Sequence, residues 1–69
     1  MQISRLKATR LHYEAKAAEA EEIIKVYLTS AVGIGEHPQI IEELRNQIES
    51  LTDAKDTILV IDELIEKYS

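Results

Sequence analysis

Residues 33–38 read GIGEHP and hold both glycines of the chain, its single proline and one of its two histidines. Two readings compete: a joint between helices, or a phosphate- or metal-binding loop at a helix start. Helix-end chemistry accounts for the segment almost residue by residue. Gly33 is placed to take the left-handed conformation that ends a helix, with Ile34 as the apolar contact back onto the last turn. Gly35 adds a second permissive position for the reversal. Glu36 or His37 can cap the next helix, and Pro38 suits its first turn, where a missing N–H costs nothing. Glu36, Glu42 and Glu43 put negative charge near the positive end of that helix. As a binding loop the segment is poorly equipped. It has neither the Lys-Ser/Thr of a P-loop nor GxGxxG, and its acids would repel an anion. Glu36 and His37 are two candidate metal ligands, but HExxH and the Glu-x-x-His of di-iron bundles are both missing. The segment therefore reads as a turn over 33–37, and His37 is the side chain that the turn does not require.

Upstream, Ile3, Leu6, Arg10, Tyr13, Ala17, Ala20, Ile24, Tyr27 and Ala31 recur at 3-4 spacing, and eight of these nine are apolar or aromatic. The stripe predicts one amphipathic helix over about 3–32, with Arg10 as its polar exception. Ala17 and Ala20 at its middle would let a partner helix approach closely. Leu11, Ile23 and Leu28 fall beside the stripe and widen it. Downstream, Ile41, Leu44, Ile48 and Leu51 are followed by Ala54, Ile58, Ile61, Ile65 and Tyr68. This predicts a second helix over about 38–67. On that reading the step from Leu51 to Ala54 is three where four is due, which would overwind the seam or kink the helix near Thr52 and Asp53. The run TILVID at 57–62 is β-prone taken alone, but its place inside a helical period favours helix. Leu59, Val60 and Leu64 lie off the seam, so this section is apolar over more than half its circumference.

The expected fold is all-α: a single domain of two long antiparallel helices, folded as a helical hairpin. At 69 residues without cysteine, such a chain buries too little to be secure alone and cannot add disulfides. A four-helix bundle or larger homo-oligomer would cover the surplus apolar faces, with a dimer expected first. Ala17, Ala20, Ile24, Tyr27, Ile58, Leu59, Ile61 and Ile65 are the candidate interface residues. The longest apolar run is four residues, at 58–61, so neither a leader peptide nor a membrane span is expected, and a cytoplasmic location is.

The net charge of −5 is unevenly spread. Residues 1–16 carry four basic side chains against Glu14, and the rest carries four against twelve acidic ones. An acidic body disfavours non-specific nucleic-acid binding. The most site-like cluster is Lys7, Arg10, His12, Tyr13 and Lys16. An arginine for a phosphate and a tyrosine ring for a base would suit a small anionic nucleotide at a subunit interface. Alternatively, Arg10 pairs with Asp62 or Glu66, because an antiparallel hairpin brings the two ends of the chain together. Glu21 is placed to pair with Lys25 one turn on. The serines and histidines are scattered, so no catalytic residues, metal or cofactor are expected and the chain does not read as an enzyme.

RLHYEAKA at 10–17, followed by VYLTSAVGIGEHPQIIEEL at 26–44 and a second amphipathic helix, resembles short uncharacterised helical-hairpin proteins of tailed phages. The resemblance implies a phage accessory, host-takeover or anti-defence factor that works by binding, to itself and to a host protein. A sponge for a cyclic nucleotide signal and a structural virion or scaffold component are the other roles it admits.

Overall fold

A computed structural model describes residues 2–29 and 38–69. Helix α1 spans Gln2–Thr29 and helix α2 spans Pro38–Tyr68, 28 and 31 residues long, and they pack on each other along their length. The backbone is a rod whose Cα atoms span 51 × 13 × 12 Å, as two helices side by side would. Arg10 meets Asp62 near one end, and Glu21 meets Lys55 further along. Moving up α1 therefore moves down α2, so the pair is antiparallel. Of the expected joint, 33–37 and the stripe residue Ala31 lie outside the described residues. Pro38 is the first residue of α2, where its fixed φ suits the opening turn.

On α1, the buried or half-buried positions are Ile3, Leu6, Arg10, Tyr13, Ala17, Ala20, Ile24 and Tyr27, with Ile23 beside them. This is the expected stripe. On α2, the seam differs from the expected one in its N-terminal half. Ile41 and Ile48 are exposed, at 67% and 48%, while Ile40 and Gln47 take the inward positions. The inward line runs Ile40, Leu44, Gln47, Leu51, Ala54, Ile58, Ile61, Ile65, an unbroken alternation of four and three. The shortened step between Leu51 and Ala54 disappears, because three is the step due there. Helix runs unbroken through Thr52 and Asp53 and through 57–62. Thr52 and Thr57 donate their hydroxyls back to the Ile48 and Asp53 carbonyls, at 3.0 and 2.7 Å, and so satisfy themselves within the helix.

The reason for the shift lies at the tightest contacts. Ala20 and Ala54 are 2% and 1% exposed, and Ile61 is 5%. Methyl-sized side chains let the two backbones close up at mid-length, which fixes the rotation of each helix there. Counting back by heptads from Ala54 and Ile61 reaches Gln47 and Ile40; the neighbours Ile48 and Ile41 are carried about 100° round.

This core is small. Among the described residues, Leu11, Val26, Leu28, Ile41, Ile48, Leu59, Val60 and Tyr68 are all about half exposed or more, against three buried apolar residues. Among the described residues, no helix is long and apolar enough to cross a membrane.

Candidate functional site

The basic end of α1 is where the sequence points. Arg10 sits in the seam one turn before Tyr13, and its guanidinium lies one-third exposed. Nε donates to Asp62 Oδ1 at 2.7 Å and Nη2 donates to Asp62 Oδ2 at 3.2 Å, a bidentate fork across the hairpin. Nη1 donates to Glu14 Oε1 on its own helix. A cation in an apolar stripe has thus found two carboxylates. The fork from Arg10 holds the Asp62 carboxyl below its ordinary value of 3.8, against partial desolvation that pushes the other way. Arg10 is raised in turn, chiefly by its bond to Asp62.

The five clustered residues do not converge. Lys7 and Lys16 are nine residues apart, two and a half turns, so they stand on opposite sides of α1. His12 is exposed and meets the half-buried Tyr13 edge-to-face, with ring centroids 5.0 Å apart. His12 and Lys16 share a dent on the outer side of α1 with Ala15 and Glu19. A phosphate approaching Arg10 would therefore compete with Asp62 and Glu14, and the two lysines could not both reach it. Of the candidate loop set, Gly33, Gly35, Glu36 and His37 lie outside the described residues.

An open groove that the sequence did not single out runs between the helices at the end where the chain termini meet. Arg5, Leu6, Thr9, Leu64 and Tyr68 line it, and apolar surface dominates. Its one legible signal was Leu64 falling off the main seam. The expected pairing of Glu21 with Lys25 is replaced by a tertiary one, because Lys55 Nζ on α2 lies 3.8 Å from Glu21 Oε1. Among the described residues, no three His, Asp or Glu side chains gather closely enough to hold a metal ion.

The interface candidates divide by depth. Ala20 and Ile61 are buried between α1 and α2. Ala17, Ile24, Tyr27, Ile58 and Ile65 are half-buried along the same line, and Leu59 is 62% exposed.

No family model, curated protein or solved structure matches this chain. What can be said of function therefore comes from the chain's own surface.

Proposed function

We propose that this chain is a non-enzymatic, self-associating helical binding module whose working form is a homo-oligomer. The carrying observation is the imbalance, among the described residues, between the eight large apolar side chains left exposed and the three apolar residues buried. Contiguous apolar surface on a small hairpin marks a protein–protein face. The perturbed ionisable pair, Arg10 and Asp62, supports the non-enzymatic part. Each is occupied by the other and bridges the helices, as a structural pair would. The resemblance to phage hairpin proteins adds the proposal of an accessory factor that binds a host protein.

Sedimentation equilibrium at micromolar concentration tests the reading. The expected mass is a multiple of one chain, and the melting temperature rises with concentration. A folded monomer with a concentration-independent melt overturns it.

A further inference from the structure

Ion pairs mark one side of the hairpin. Glu14 and Asp62, joined through Arg10, form one rung across the two helices, and Glu21 with Lys55 forms the next. From rung to rung the spacing is seven residues up α1 and seven down α2, two turns of helix each. The next rung in that series pairs Leu28 with Ile48, and a further seven residues along α2 stands Ile41. These three are 69%, 48% and 67% exposed. At the rung positions the face is therefore charged toward the end that carries the termini and apolar toward the other, with Leu59 exposed beside the charged rungs.

We propose that this face is covered by a second copy of the chain, stacked face to face about a two-fold axis parallel to the rod, so that the N-terminal ends of both α1 helices lie at the same end. The proposal rests on the self-association reading and specifies its surface and geometry. A partner for this face has to be at hand whenever the chain folds, because Ala20, Ala54 and Ile61 are a very small core among the described residues. A second copy meets that condition. The charge pattern selects the arrangement. About an axis along the rod, each α1 lies over the α2 of the other copy at the same level. Glu21 then faces Lys55 of the second copy as well as its own, Glu14 lies over Asp62 of the second copy with the Arg10 of each copy between them to offset the like charges, and Leu28, Ile41 and Ile48 meet the same set of residues of the second copy. About an axis across the rod, the apolar end of one copy would fall on Lys7, Glu14 and Asp62 of the other. That would bury charges against hydrocarbon.

The chain has no cysteine, so Ser69→Cys provides a single attachment point for a spin label at the exposed C-terminus. Pulsed dipolar spectroscopy on the labelled full chain should give one distance below about 30 Å, since helices in a bundle lie only about 8–10 Å from their neighbours. A distance near the 51 Å length of the rod would overturn the same-end arrangement and leave self-association standing. A monomeric mass with no dipolar signal would overturn both. The face is tested by Leu28→Asp with Ile48→Asp, which should halve the sedimentation mass of a dimer. Val26→Asp with Val60→Asp, on the other side of the hairpin, should leave that mass unchanged. An unchanged mass in the first variant refutes the choice of face. If that variant fails to fold, the label distance in the otherwise unaltered chain still decides.

Discussion

Arg10 shows how a polar residue in an apolar stripe is accommodated. Its position made a carboxylate partner necessary, and the antiparallel course of the helices put Asp62 within reach of both Nε and Nη2. This pairing was legible because charge in a seam has few ways to be satisfied. The choice of Asp62 over Glu66 was not, since it depends on the relative rotation of α2. The pair also sets a pH dependence. Folded Asp62 titrates below its ordinary 3.8, so the stabilisation is fully present above that value and is lost as pH falls through the lower, folded one. Asp62→Asn should therefore lower the melting temperature at neutral pH, with the difference from wild type shrinking as the solution is acidified below about pH 4. Thermal melts of both proteins from pH 7 to pH 2 check this, and a constant difference would show that the fork contributes nothing specific. His12, Tyr13 and Lys16 stand close in the sequence, but a helix turns 100° per residue and spreads neighbours round its circumference.

At the scale of the element, α1 followed its sequence pattern and α2 departed from it. Apolar residues at 40, 41, 44, 48 and 51 permit two seams that differ by one position, and periodicity alone prefers Ile41 and Ile48 to a seam containing Gln47. The contacts of Ala54 and Ile61 choose the other. Gln47→Leu should then stabilise the protein by roughly 1 kcal/mol, because it places hydrocarbon on the half-buried line. On the Ile41/Ile48 seam, position 47 would face solvent and the change would do nothing. Urea denaturation distinguishes the two. Where the helices are closest, the opposite holds. Ala54→Leu has no room and should cost about 1–3 kcal/mol, measured the same way. The four threonines at 9, 29, 52 and 57 all bond back one turn within their own helices, so none of their hydroxyls needs a tertiary partner.

For the whole molecule, a rod only two helices across cannot hide its own hydrocarbon. Every residue more than about 100° from the seam faces outward, and Leu28, Ile41, Ile48 and Leu59 do so on the same side as the ion-pair rungs. The single change Ile48→Asp should lower the melting temperature more at high protein concentration than at low, where the assembly is already dissociated. Calorimetry over a hundredfold range of concentration would reveal a uniform shift instead if Ile48 served only its own chain. Local rules of period and propensity determined that there would be two helices, their antiparallel order, the inward line of α1 and the presence of more apolar surface than one hairpin can bury. These follow from interactions within a few residues, or from the sum of side chains, and both are properties of the linear chain. Which line of α2 turns inward, which carboxylate Arg10 grips, and which apolar residues share a face with the ion pairs were decided by the tertiary structure. Those depend on the rotation of one helix against the other, and the close approach of Ala20 and Ala54 sets that rotation.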